Sequence, residues 1–167
     1  KWKFQILYIV KLKVNTDLLF GITMDNKKAY FNYSILSEFL CGIKLLGTEI
    51  KSIREGNIAF NDAYCYIDIK NNKCWLKNFY IKEYELGTYA NHEPLREREL
   101  LLNKKEIYKI NNELKVKGVT LVPLQLFINK GGLAKLKIGL VKGKKNYDKK
   151  EKIRERDIDR QTQKEIS

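Results

Sequence analysis

The chain has 167 residues, 44% of them hydrophobic, with only two prolines, enough for one domain with a real core. Its 33 Lys/Arg against 20 Asp/Glu give a formal charge of +13, which favours an anionic partner. Three cysteines (Cys41, Cys65, Cys74) without metal-ligand spacing argue against a disulfide framework and for a reducing compartment, and His92 is the single histidine for any triad or histidine–cysteine metal site.

In chain order, Phe4–Val10 is an apolar run flanked by lysines and too short to span a bilayer. It reads either as the remnant of a targeting segment or as an added edge strand. The aromatic and aliphatic residues from Ala29 to Leu46 (Tyr30, Tyr33, Ile35, Phe39, Leu40) predict one long strand or two short ones, with Gly42 at a bulge or bend. Gly47–Gly56 predicts a short helix with Thr48 as N-cap, Glu49 at its positive end and Gly56 ending it. Ile50 and Ile53 share a face of that helix, leaving Lys51 and Arg54 outward. Ala63–Ile69 alternates as a strand, Asn71-Asn72 turns, and Cys74–Tyr80 returns as its hairpin partner. Residues 83–93 read as a loop carrying His92. Pro94 precedes a segment, Arg96 to Leu114, whose leucines and isoleucines recur near helical spacing, predicting one helix or two. Val119–Ile128 predicts a strand whose Pro123 marks an edge or a bulge. Asn129-Lys130-Gly131-Gly132 turns into a last strand in which Leu136, Ile138 and Leu140 alternate with Lys135, Lys137 and Gly139.

The sum is mainly β with peripheral helices, about five or six short antiparallel strands suited to a small closed barrel that leaves no exposed edge. Positive charge concentrates late: residues 130–167 carry thirteen Lys/Arg against six Asp/Glu, the first 129 only twenty against fourteen. Most of the excess lies in the last strand and the turn after it. From Tyr147 onward seven Lys/Arg face six Asp/Glu, and without an apolar stripe this charged tail is expected to stay unordered in the free chain. Lysines that neutralise phosphates, interleaved with aromatics that stack on bases, point to RNA without saying which.

Three blocks narrow that choice. Gly47–Arg54 (GTEIKSIR), 91–103 (NHEPLRERELLLN) and 137–150 (KIGLVKGKKNYDKK) together resemble the small protein B (SmpB) family, the partner of transfer-messenger RNA (tmRNA) in ribosome rescue. The resemblance runs from about Asn26 to Arg160 and omits the first 24 residues. It implies an OB-like small closed antiparallel β-barrel at 25–145, a charged C-terminal tail at 146–167 and a non-matching extension at 1–24. It implies a non-enzymatic function: binding tmRNA and delivering it to stalled ribosomes in trans-translation, the barrel mimicking the anticodon arm and the tail occupying the empty mRNA channel. The implied partners are tmRNA and the ribosome, through small-subunit rRNA at the decoding centre and mRNA channel, for a monomer with no cofactor, metal or membrane. A plastid-type stroma is the expected compartment, with the bacterial cytoplasm as the alternative.

Residue by residue, the resemblance assigns RNA binding to Glu49, Lys51, Ser52 and Arg54, to Leu101 and Asn103, and to Lys137, Lys142, Lys144 and Lys145. It assigns decoding-centre roles to Tyr147, Asp148, Lys149 and Lys150. Three positions depart from the family pattern: Leu40 stands where an acidic residue is expected, Glu99 where lysine is, and Lys150 where arginine is. Two other classes fit less well. A generic single-strand-binding barrel asks for aromatics on an exposed strand face, for which Tyr64 and Tyr66 qualify. A nuclease asks for clustered carboxylates, and Asp62 and Asp68 are separated by aromatic strand residues.

Overall fold

The computed structural model describes residues 22–87, 90–129, 131–145 and Arg154. The expectations for Phe4–Val10, and for Tyr147, Asp148, Lys149 and Lys150, fall outside them. Arg154 is helical and exposed, where the sequence predicts no regular structure in the free chain. No helix among the described residues is long and apolar enough to cross a membrane.

The chain forms β1 (Thr23–Asp25), α1 (Lys27–Asn32), β2 (Tyr33–Ile43), α2 (Gly47–Arg54), β3 (Ile58–Ala59), β4 (Tyr64–Asp68), β5 (Lys73–Lys77), β6 (Tyr80–Ile81), β7 (Arg98–Leu101), α3 (Lys104–Leu114), β8 (Val119–Ile128) and β9 (Ala134–Gly143). It is therefore mainly β with a few helices. The strand expected from Ala29 starts only at Tyr33, because Asn26 turns the preceding residues into a helix. The Asn26 Oδ1 accepts from the Ala29 N–H at 3.0 Å while its Nδ2 donates to the Pro123 carbonyl at 2.9 Å. One buried amide thus caps α1 and pins it to the sheet. Ala29, with Tyr30 and Tyr33, covers Val122, Leu124 and Val141.

Seven strands pair antiparallel in the order β1-β8-β4-β5-β7-β2-β9, and β9 pairs in addition with β8. β3 and β6 form a separate two-stranded sheet. The bulge expected at Gly42 lies elsewhere in the same strand: the β2–β9 register shifts between Ile35 and Ser37. A Cβ at Gly42 would meet the Leu101 Cδ1 across the ladder at 3.3 Å, tighter than an ordinary contact. The Pro123 strand is interior, not an edge, but a bulge does follow it, with the register shifting between Pro123 and Gln125. Bulging leaves the missing proline N–H harmless inside the sheet.

That bulge seats the fully buried Leu124 side chain over Gly139, where an added Cβ would come 2.6 Å from the Leu124 Cδ1. Gly139→Ala is expected to destabilise the protein by about 1–3 kcal/mol, the usual cost of overpacking a filled site, read as a lower urea midpoint at unchanged slope. An unchanged midpoint would show that Leu124 moves aside freely.

The main core lies on the other face of β9. Leu136, Ile138 and Leu140 meet Leu121, Leu126, Leu76, Phe79, Ile81, Ile53 and Ile110 there, and the lysine alternation expected for this strand holds. The three cysteines are free and buried in that same core. Burial is the main cause that raises their thiol pKa values, that of Cys74 to about 12, so they remain inert thiols. The 64–77 hairpin is as expected and turns through Asn72 at φ +50°. The helix expected from Arg96 is replaced by β7, which pairs with Cys74–Leu76 and with Gly42–Ile43. Arg98 and Leu100 point inward while Leu101 points out, a two-residue period that a charged inward residue disguises in sequence. The helix begins later, at Lys104, where the Glu106 carboxylate accepts from the Asn103 N–H at 2.9 Å.

Candidate nucleic-acid interface

The short helix α2 (47–54) is held by its buried side and presents charge on the other. Thr48 is not its N-cap. Leu46 holds that position, and Glu49 reaches back so that its Oε2 accepts from the Leu46 N–H at 2.7 Å. The Thr48 hydroxyl instead pairs with His92 Nδ1 at 2.9 Å, and His92 Nε2 lies 3.2 Å from the Ile81 carbonyl. A carbonyl only accepts, so Nε2 carries the proton and Nδ1 accepts from Thr48. The expected loop histidine is thus a buried tie between α2 and the 81–94 region.

Glu49 is completely buried among arginines. It accepts from Arg96 Nε at 2.7 Å, from Arg96 Nη2 and from Arg98 Nε at 2.8 Å. Arg98 is itself fully buried and spends its other donors on the carbonyls of Phe79, Arg96 and Pro94. Burial pushes the Glu49 carboxyl up. The hydrogen bonds from Arg96 and the Leu46 N–H, with the charge of Arg98, outweigh that and leave its pKa below the ordinary 4.5. The expectation that Glu49 and Ser52 contact RNA is corrected on this ground: neither side chain reaches the surface. Their oxygens lie on the inner side of a helix whose outer side carries Lys51 and Arg54. Sequence reading missed Arg96, Arg98 and His92. The inward period of Arg98 and Leu100 was the available signal.

The remaining predicted residues fall into two groups at opposite ends of the β2–β9 ladder. At the Gly42–Lys135 end stand Lys51 and Arg54, both exposed, with no carboxylate partner among the described residues. Lys51 Nζ sits 5.0 Å from the centre of the Tyr84 ring. Leu101, opposite Gly42, is 57% exposed and belongs to the surface, and Asn103 follows it at the start of α3. At the Tyr33–Gly143 end stand Lys142 and Lys145, exposed, and Lys144, whose Nζ donates to the carbonyls of Tyr30 and Phe31. Eight residues of β9 at about 3.3 Å each put the two ends roughly 26 Å apart. Lys137 lies between them, half-buried, 3.7 Å from Glu38. Of the departing positions, Leu40 is exposed opposite Lys137, and Glu99 pairs with Lys73 at 3.1 Å and Lys44 at 3.5 Å.

Tyr64, Tyr66 and Trp75 share a third face, on β4 and β5. Its lysines are already matched: Tyr66 donates to Glu97 at 2.7 Å, and Lys77 pairs with the same carboxylate at 3.0 Å. That face carries aromatics without free positive charge. Among the described residues no three His, Cys, Asp or Glu gather as a metal site would require.

Fold and surface together define a basic, mainly β domain with exposed cations at both ends of the β2–β9 ladder. The model of the family described as SmpB protein matches residues 23–167, and the chain belongs to that family. It is 47% identical over 145 residues to the SsrA-binding protein of Treponema denticola, covering 87% of this chain and 92% of that one. It is 49% identical over 137 residues to the SsrA-binding protein of Parabacteroides distasonis, covering 82% and 88%. A solved structure described as "tmRNA-SmpB: a journey to the center of the bacterial ribosome" contains a chain 39% identical to this one, with a TM-score of 0.64, covering 79% of this chain and 94% of that one.

Proposed function

We propose that this protein binds tmRNA and brings it to stalled ribosomes in trans-translation. The observation that carries this is the near-50% identity to SsrA-binding proteins over most of both chains. The exposed Lys51, Arg54, Lys142 and Lys145, without an ion-pair partner among the described residues, fit it, since each supplies a cation for phosphate. Lys51, Arg54, Leu101 and Asn103 form one RNA-binding group, Lys142 and Lys145 a second. Lys144 and Lys137 contribute charge from more constrained positions, and Tyr147, Asp148, Lys149 and Lys150 act at the decoding centre. Glu49 serves by positioning α2. The protein works as a monomer and makes no bond itself.

The architecture in this reading is an OB-like closed barrel at 25–145, followed by the charged tail at 146–167 and preceded by an extension at 1–24. Support for closure is the β8–β9 pairing, which joins the last strand of the order to the second. Support for the first boundary is that the family match begins at residue 23. The relatives are bacterial, which favours the cytoplasm over a plastid stroma. The charge balance of the Tyr64–Tyr66–Trp75 face speaks against a generic single-strand binder.

Gel-shift titrations at two salt concentrations test the reading. Tight binding to tmRNA is expected, against weak and salt-sensitive binding to a random RNA of equal length. Replacing Lys51 and Arg54 together by alanine should weaken tmRNA binding and flatten the salt slope by about one to two, at a stability change below about 0.5 kcal/mol. Equal affinity for both RNAs would leave only the generic reading. A folding loss as large as the binding loss would make α2 a structural cap.

A further inference from the structure

A cleft of about 300 Å³, lined by none of the residues assigned to RNA binding, opens at the Tyr33–Gly143 end. Its origin is a mismatch in length. Helix α1 covers Val122, Leu124 and Val141 and stops at Asn32, while β8 continues outward to Thr120 on the same face. Thr120 is therefore left as a floor without a roof. The 60–63 loop, turned through Asp62 at φ +54°, forms the opposite wall. Phe60, Tyr64 and Tyr33 supply flat apolar sides, and Asn32 and Thr120 supply polar groups. The side chains of Asn32 and Thr120 make no hydrogen bond to another described residue.

We propose that this cleft takes one unstacked nucleobase of the bound RNA. The inference rests on the RNA-binding reading and adds a subsite to it. The volume lies at the lower bound of ligand pockets and suits a single base. Aromatic walls and an amide that both donates and accepts are what a base face and a base edge require. The rim carries one ion pair that can open. Lys28 pairs with Asp62 at 3.2 Å, but both side chains are largely exposed, so the pair is weak and a phosphate can replace the carboxylate. Lys145 stands beyond the carbonyl end of α1, where Lys144 N–H donates to the Asn32 carbonyl at 3.0 Å. A base in the cleft thus has Lys28 at the rim for a flanking phosphate.

The test uses the full chain, isotope-labelled, titrated with AMP, GMP, CMP and UMP, beside gel shifts with a transcript of the tRNA-like half of tmRNA. Saturable shifts are expected at the backbone amides of Asn32, Ala63 and Thr120 with at least one nucleotide. Thr120→Phe fills the cleft and should abolish them and weaken transcript binding about tenfold, the scale of one lost base stack. Tyr64→Ala, at an exposed wall, should weaken it comparably should the filled variant fail to fold. Shifts absent from these amides, or transcript binding unchanged in the folded variants, would overturn the subsite while leaving the parent's RNA binding intact. A parent that binds no transcript would remove the RNA reading and the subsite together.

Discussion

Glu49→Ala is expected to cost about 3–5 kcal/mol, the usual result of stripping one partner from a buried charge pair. Arg98 would remain fully buried with its Nε unmatched, the Leu46 N–H would lose its side-chain acceptor, and Arg96 would keep only the Glu97 and Lys44 carbonyls. The helix α2 would lose its start and its anchor to β7 at once, so Lys51 and Arg54 would lose their common presentation. Urea denaturation measures the first effect and tmRNA gel shifts the second. A variant within about 1 kcal/mol of the parent would mean that water or a rearranged Arg98 compensates the charge. The same network sets an acid limit. The folded pKa of Glu49 lies below its unfolded value near 4.5, so its contribution is complete above that value and is lost as pH falls through the folded pKa. Stability should therefore decline below about pH 4.5 in the parent, and Glu49→Gln should flatten that limb. An equally steep limb in the variant would assign the acid loss to other carboxylates.

Cutting the chain before Tyr147 should abolish tagging on stalled ribosomes while leaving tmRNA binding nearly intact. The body ends earlier: β9 closes its ladder at Gly143, and Lys144 is already tied to the end of α1. The cut therefore removes no described strand and no described core residue. It also removes little net charge, because the lost segment holds seven Lys/Arg and six Asp/Glu. Phosphate affinity follows net cation contacts, so binding should weaken only slightly. Two readouts on one truncated protein decide the matter: gel shift for the RNA, tag incorporation for the ribosome. Full tagging by the shortened chain would contradict the proposed division between body and tail, as would loss of RNA binding.

The alternation of Leu136, Ile138 and Leu140 with lysines, the 64–77 hairpin and the α2 helix were legible in the sequence, because each depends on a local period or a turn residue that acts within a few positions. The three family blocks were likewise legible as residue identities. Tertiary structure alone decided three other matters. Asn26 caps α1 because it can also reach the Pro123 carbonyl, 97 positions away. Residues 98–101 are strand rather than helix because two neighbouring strands pair with them, and because Glu49 from another element makes an inward Arg98 affordable. Glu49 and Ser52 sit beside Lys51 and Arg54 in one motif, yet a helix turns neighbours about 100° apart. Which of them meets solvent was fixed by where β7 and the 81–94 region press against that helix, and no local pattern records that.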